Sequence, residues 1–194
     1  MSLHMSIKCV GLFAKEESLV ICDDYISLGI KTILKQDILF IKTGITVTRV
    51  NGIQSGTSYN MTLGSKNGNI CINLSDGFYG SKSKPIFDTI YSATMKHIGV
   101  NLLNRMLNEI NNGGNIIIGD TAFTLGGVIL PVYKMFVFKS GMETVPYKEI
   151  KTFTSNGEIR IESVKNNNAC CVITIRETNN ACLLPHLISI LKGN

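Results

Sequence analysis

The chain has no tryptophan, only three histidines and few charged residues, which make up 17% of its 194 residues. It also lacks a Walker phosphate loop, a G-x-S-x-G elbow and an H-E-x-x-H motif. So few histidines leave little general-base chemistry. The sequence therefore predicts no catalytic residue and no cofactor, and we do not expect an enzyme.

Metal and export signals are also missing. The six cysteines include no C-x-x-C pair, so we expect free thiols, no metal site and a reducing, cytoplasmic compartment. No apolar run reaches the ~18 residues that span a bilayer, and the N-terminus shows no signal-peptide pattern. Residues 1–4 (MSLH) resemble a cloning scar before a natural start at Met5, so they are left out of the fold prediction.

The charge pattern argues against nucleic-acid binding. The net charge is +5, but the lysines are scattered along the chain. Proteins that bind nucleic acids usually concentrate positive charge on one face or along one helix. We therefore expect no nucleic-acid partner.

What is present is a series of short apolar segments separated by glycine turns. Hydrophobic residues make up 44% of the chain, enough for a core. Ile116, Ile117 and Ile118 form a β-branched run, which favours a strand. Asn156-Gly157 joins two extended segments, and Asn-Gly is a strong hairpin signal. These patterns predict a mainly β chain with antiparallel strands.

Two segments have helical periodicity. Apolar residues between Ile86 and Ile110 recur at steps of three and four, and Asn111 to Gly114 provides a helix stop. A shorter amphipathic helix is predicted near Leu184, with Pro185 in its first turn. Each half of the chain is thus predicted to contain several strands followed by a closing helix.

The two halves of the chain also show weak sequence similarity to each other. The segment from Val20 to Gly29 resembles Ile117 to Gly126, and KQDI at 35–38 resembles YKEI at 147–150. A third pair, NGNICI at 67–72 and NGEIRI at 156–161, follows in the same order. The two interpretations are a diverged duplication, which the conserved order favours, and the chance reuse of isoleucine, glycine and asparagine.

Residues 115–192 resemble bacterial pleckstrin-homology-like (PH-like) domains. The resemblance lies in the segment VPYKEIKTF, the hairpin SNGEIRI and the closing segment ITIRETNNACLLPHLI. It implies α+β architecture, with two PH-like bent antiparallel barrels each closed by a C-terminal helix. The implied domains are residues 5–112, ending in the long helix, and residues 113–194, ending in the short one.

PH-like domains bind phosphoinositides, peptides or other proteins, so the resemblance does not by itself define a ligand. Lipid-binding members carry several basic residues near the first hairpin. Here the hairpin from Phe123 to Val137 offers only Lys134, with Lys139 after it. The resemblance therefore does not extend to lipid binding.

The loop DGFYGSKSKP at 76–85 is the candidate contact site. Phe78 and Tyr79 lie beside Lys82 and Lys84, a combination that can bind a phosphate or an acidic peptide. The alternative is an ordinary surface loop with two solvated lysines.

Three other features have two interpretations each. Asp23-Asp24 and Asp120 are either turn residues or cation ligands. His97, within the long helix, is expected to be a surface or core-edge side chain. The apolar segment from Met135 to Phe138 is either an ordinary edge strand or one that pairs with another chain to form oligomers.

The leading functional hypothesis is a non-enzymatic binding or scaffolding module that acts through protein–protein contacts, and a homo-oligomer is one of the partnerships considered. The first alternative is a peripheral membrane or phosphoinositide-binding module that uses Phe78, Lys82 and Lys84. The second is an enzyme whose site has no recognised motif.

Overall fold

The computed structural model describes residues 2–9, 16–77, 82–134 and 138–193. Strands make up 54% of the described residues and helices 27%, and the strands form antiparallel sheets. The predicted mainly β class with helices is therefore confirmed. The chain divides into two compact units, Met1–Leu102 and Leu103–Asn194. The predicted domain limits, 5–112 and 113–194, stay a prediction.

The first unit contains two antiparallel sheets in which each strand pairs with the next along the chain. The alternation of buried and exposed residues places one face of each sheet in the core, as Leu19, Ile21 and Ile26 illustrate. The four-stranded sheet contains β1 (Leu3–Lys8), β2 (Glu16–Ile21), β3 (Tyr25–Leu28) and β4 (Lys31–Leu34). The three-stranded sheet contains β5 (Ile38–Val50), β6 (Ile53–Ser65) and β7 (Gly68–Asp76).

The predicted long helix is present and has an irregular middle. It consists of α1 (Ser83–Thr94), a π-helical turn (Met95–Gly99) and α2 (Val100–Asn111). The α1 helix packs on β6 and β7, where Phe87 lies 5.4 Å from Tyr59 between ring centroids. The helix stops at the predicted place, because Gly113 adopts a left-handed conformation with φ of 84°.

The second unit has the same order of elements. Its four-stranded sheet contains β8 (Ile116–Ile118), β9 (Thr121–Thr124), β10 (Gly127–Lys134) and β11 (Phe138–Val145). Its three-stranded sheet contains β12 (Ile150–Ser155), β13 (Glu158–Ser163) and β14 (Cys170–Thr174), and the helix α3 (Leu184–Gly193) follows. Ile159 and Ile161 are buried while Arg160 is exposed, which confirms the alternation predicted for β13.

The sheets differ from the prediction in one respect, because no closed barrel is found among the described strands. The pairing order of each sheet ends at its first and last strands, which remain edges. In the second unit a single bridge, between Val132 and Ala169, joins β10 to the residue just before β14. One bridge cannot supply the continuous ladder that closure requires.

The N-terminal residues take part in the first sheet. Leu3 pairs with Ile21 and His4 pairs with Val20. Leaving residues 1–4 out of the fold prediction was therefore wrong for Leu3 and His4, which belong to β1. Among the described residues, no helix has both the length and the apolar character needed to cross a membrane.

Candidate functional site

The π-helical turn places a histidine inside the first unit. His97, Ile98 and Gly99 are consecutive and all buried, and His97 is only 4% exposed. A regular helix turns about 100° per residue, so three consecutive residues seldom share its buried face. The wider π turn accommodates them, and such turns are frequent at functional sites. Of the two positions expected for His97, the surface is excluded, and its contact with an exposed carboxylate is that of a side chain at the edge of the core.

His97 contacts a carboxylate from the turn between β2 and β3. Its Nδ1 lies 2.7 Å from Oδ1 of Asp23, whose side chain is 74% exposed. The hydrogen bond from His97 lowers the pKa of Asp23 below its ordinary value, against the opposing effect of burial. Asp23 is thus ionised at neutral pH and can only accept, so Nδ1 of His97 carries the proton. The histidine holds one carboxylate oxygen in place.

A polar cavity of about 370 Å³ opens beside this pair. Its walls come from the β2–β3 turn, from the junction of β4 with a short 3₁₀ turn (Lys35–Asp37), and from the first turn of α2. The lining residues are Asp23, Asp24, Leu34, Lys35, Gln36 and Asn101. This volume lies within the ~300–1,000 Å³ range of ligand sites in proteins.

Backbone hydrogen bonds hold two of these walls together. The N–H of Lys35 donates to the carbonyl of Asp24 over 2.8 Å. The N–H of Cys22 donates to the carbonyl of Tyr25 over 3.1 Å and closes the turn that carries both aspartates. The lining side chains therefore project from a backbone with defined geometry, which reduces the entropy lost when a ligand binds.

The lining combines two carboxylates, one ammonium, two amides and one apolar side chain. Leu34 is 47% exposed and contributes an apolar surface to the lining. The carboxylates attract a positively charged group, and the amides can donate or accept hydrogen bonds. The arrangement is suited to binding an organic cation with an apolar portion.

Metal binding has no comparable support. Within the described ranges, no three histidine, cysteine, aspartate or glutamate side chains are grouped as a metal site requires. Asp120, the other aspartate considered as a cation ligand, lies exposed in the turn between β8 and β9. All six cysteines are free thiols, as predicted.

The candidate contact loop is described only in part. Phe78 and Tyr79 lie outside the described residues. Lys82 is exposed just before α1, and Lys84 pairs with Asp88 over 2.7 Å, so part of its charge is neutralised. The contact role of this loop stays a prediction.

Next to this loop, Asp76 has an unusual environment. Its Oδ1 accepts a hydrogen bond of 2.9 Å from the N–H of Ser83, which helps to begin α1. Its Oδ2 is buried with no hydrogen-bond partner in the described part of the chain. The carboxylate thus contributes to the helix start through one oxygen only.

The edge strand considered for oligomer formation is also described in part. Residues 135–137 are outside the described ranges. Phe138 begins β11, which is an edge of the four-stranded sheet, and its side chain is 69% exposed. Pairing of this edge with another chain stays a prediction.

The sequence prediction did not find the pair of Asp23 and His97, because 74 residues separate them. The Asp23-Asp24 dipeptide was noted as a possible cation site. Neither the π turn nor the contribution of Lys35, Gln36 and Asn101 has a signal in the sequence. Only the packing of helix against turn brings them together.

Comparisons with protein-family models, with curated proteins and with solved structures each find no match to this chain. We therefore infer the function from the geometry of the chain itself.

Proposed function

We propose that this chain is a non-enzymatic binding and scaffolding module of two tandem PH-like domains that acts through protein–protein contacts in the cytoplasm. The architecture supports the proposal, because each compact unit contains a four-stranded antiparallel sheet, a three-stranded antiparallel sheet and a closing helix. The resemblance implies antiparallel strands followed by a closing helix in each half, and this order of strands and helix occurs twice.

The observation that carries the binding function is the polar cavity of the first unit. Three separate chain segments contribute to its walls, and a buried histidine holds one of its carboxylates. Ligand sites in proteins typically combine a concave surface with a few oriented polar groups. A partner segment that enters this cavity would contact these oriented polar groups.

Binding is favoured over catalysis by the chemical nature of the lining. Among the described residues, the lining includes no serine, threonine or cysteine, so its only nucleophilic groups are the two carboxylates and the amine of Lys35. His97 uses Nδ1 to hold Asp23, which resembles the base and the orienting carboxylate of a catalytic triad, but the third member is missing from the lining. The pair therefore serves to orient a charge.

The test is partner capture with a blocked cavity. The immobilised protein is compared with an Asn101→Trp variant, in which a bulky side chain projects from the cavity wall. Asn108→Trp, at an exposed position of the same helix, is the matched control. A partner identified by mass spectrometry should bind the wild type and Asn108→Trp, and should be lost from Asn101→Trp.

Equal capture by all three proteins would contradict the proposal, since the cavity would then have no part in binding. Circular dichroism of each variant separates a blocked cavity from a misfolded chain. A partner lost from both tryptophan variants would place the contact elsewhere on α2 and would also count against the cavity.

A further inference from the structure

The composition of the cavity indicates which chemical group it accepts. We propose that it binds the side chain of a single lysine from a partner protein, in a segment whose neighbouring residues are neutral or acidic. This inference rests on the proposed function, because it names the ligand of the same site. Nothing in the proposed function by itself selects lysine over arginine or over an acidic group.

The sign of the ligand charge follows from the two aspartates. The low pKa of Asp23 keeps its carboxylate ionised, and the second carboxylate comes from the adjacent residue. Among the described residues, Asp24 has no hydrogen-bond or ion-pair partner for its carboxylate. Two carboxylates with one nearby lysine leave a net negative charge, which a single cationic group would neutralise.

The hydrogen-bond geometry favours an ammonium over a guanidinium. Arginine binds a carboxylate best through two parallel hydrogen bonds to both oxygens. Oδ1 of Asp23 already accepts a hydrogen bond of 2.7 Å from His97, so a guanidinium would bind in this way best to Asp24 alone. An ammonium is a compact charge with three donors, and it can reach one oxygen on each of two carboxylates.

The remaining lining residues specify what surrounds the ammonium. Leu34 is 47% exposed and provides an apolar surface on which the aliphatic stem of a lysine can lie. Lys35 repels a second positive charge close to the first, which disfavours a polybasic segment. Its ammonium can instead pair with an acidic neighbour in the ligand, while the amide of Asn101 can bond to the peptide backbone.

The experiment uses the full chain and a blocked tetrapeptide, acetyl-Gly-Lys-Glu-Gly-amide, with binding followed by amide chemical shifts in NMR titration. Shifts should concentrate at Asp24, Lys35 and Asn101. Acetylating the lysine side chain, replacing it with arginine, or placing two lysines together should each weaken binding about threefold or more. Asp24→Asn should weaken binding by about threefold to tenfold, whereas Asp120→Asn, an exposed turn aspartate of the second unit, should not.

Lys35→Ala sharpens the specificity argument. This variant should bind the peptide with two adjacent lysines better than the wild type does, because the repelling charge is gone. Free lysine and 1,5-diaminopentane form a separate arm of the titration. If they bind as tightly as the peptide and shift the same residues, the ligand is a small amine and the inference of a partner lysine is overturned.

The outcomes separate this inference from the proposed function. If Asn101→Trp loses a captured partner but no lysine peptide shifts the cavity residues, the ligand class is wrong and the binding function stands. If peptides with lysine and with acetyl-lysine bind equally, the charge argument fails. If no partner depends on the cavity and the lysine peptide still binds, the proposed function fails and the lysine site remains.

Discussion

The two units follow one order of elements but differ where the chain enters the three-stranded sheet. In the first unit this segment is Lys35–Asp37, and Lys35 lines the polar cavity. In the second unit it is Tyr147–Glu149, and Tyr147 is buried with its hydroxyl donating to the carbonyl of Thr124 over 2.6 Å. A lysine thus lines an opening at the position where a tyrosine fills the core of the other unit.

The closing helices differ in a related way. The helix of the first unit contains a π turn that buries His97. The described part of α3 is a regular helix whose Lys192 donates to the carbonyl of Ile150 over 2.9 Å, so its contact with the sheet is structural. The candidate site therefore lies where the first unit departs from the common plan.

The largest expected effect tests whether the second unit depends on a core of its own. Phe123 is fully buried, and Phe123→Ala removes a large aromatic side chain from β9. The expected loss in the free energy of unfolding is about 3–5 kcal/mol, because the transfer and cavity costs add. Urea denaturation followed by circular dichroism measures it.

Phe153→Ala is the matched control, since Phe153 lies on β12 of the same unit and is 51% exposed. It should cost about 1 kcal/mol or less, because truncating a side chain that is already half in water loses less burial. If both variants lose a similar free energy of unfolding, Phe123 and Phe153 do not differ in burial as described.

The next effect tests the tyrosine that fills the second unit. Tyr147→Phe removes the hydrogen bond to Thr124 and should cost about 1 kcal/mol at neutral pH. Burial raises the pKa of Tyr147 to about 12. In the unfolded chain the group ionises near pH 10, so the unfolded state loses its proton first as the pH rises.

The sign of the pH dependence follows from that order. The stabilisation is fully present below about pH 10 and is lost as the pH rises towards 12, with a total of roughly 1–3 kcal/mol. The Tyr147→Phe variant has no phenol to ionise, so it should not show this part of the loss of stability at alkaline pH. The free energies of unfolding of wild type and variant should therefore converge above pH 10. Parallel stability curves for wild type and variant would contradict the burial of the hydroxyl.

Much of the sheet architecture could be predicted, because its signals are local. Ile159 and Ile161 alternate with exposed residues, and Asn156-Gly157 turns the hairpin as expected. The same turn occurs between β5 and β6, where Asn51 and Gly52 have φ values of 52° and 80°, close to the 50° and 77° of Asn156 and Gly157. Steric limits on the backbone make such a turn readable from two residues.

The matching of the two halves was predicted less well. The segment at 35–38 does correspond to 147–150, since each forms a short turn that leads into a three-stranded sheet. The segment at 67–72 leads into β7, the third strand of its sheet, whereas 156–161 leads into β13, the second. Asn-Gly occurs at both hairpins of the three-stranded sheet in the first unit, so the dipeptide alone could not show which hairpin corresponds to the one at Asn156-Gly157.

The site itself was largely beyond prediction, because it depends on contacts between distant residues. Local patterns report on neighbours in the chain, whereas Asp23 and His97 meet only after a helix packs near a turn. The π turn that buries His97 inserts one residue into the helical period, and a single Gly99 within a helical pattern does not mark such an insertion.

The smallest expected effect tests the contact that distinguishes the first unit. His97→Gln removes the imidazole, so the pKa of Asp23 should rise towards the 3.8 of an isolated side chain. A group with a lowered folded pKa stabilises the protein above its unfolded pKa, and this stabilisation is lost as the pH falls through the folded value. The pH-dependent part of the change in stability should be slight, because Asp23 is exposed.

The measurement is a carbon-detected NMR titration of the Asp23 carboxyl in wild type and variant. Asn101→Ala is the control, because Asn101 lines the same cavity and Asp23 has its hydrogen bond with His97. Its titration of Asp23 should match that of the wild type. If His97→Gln leaves the Asp23 titration unchanged, the imidazole does not hold the carboxylate, and the difference between the two helices loses its functional meaning.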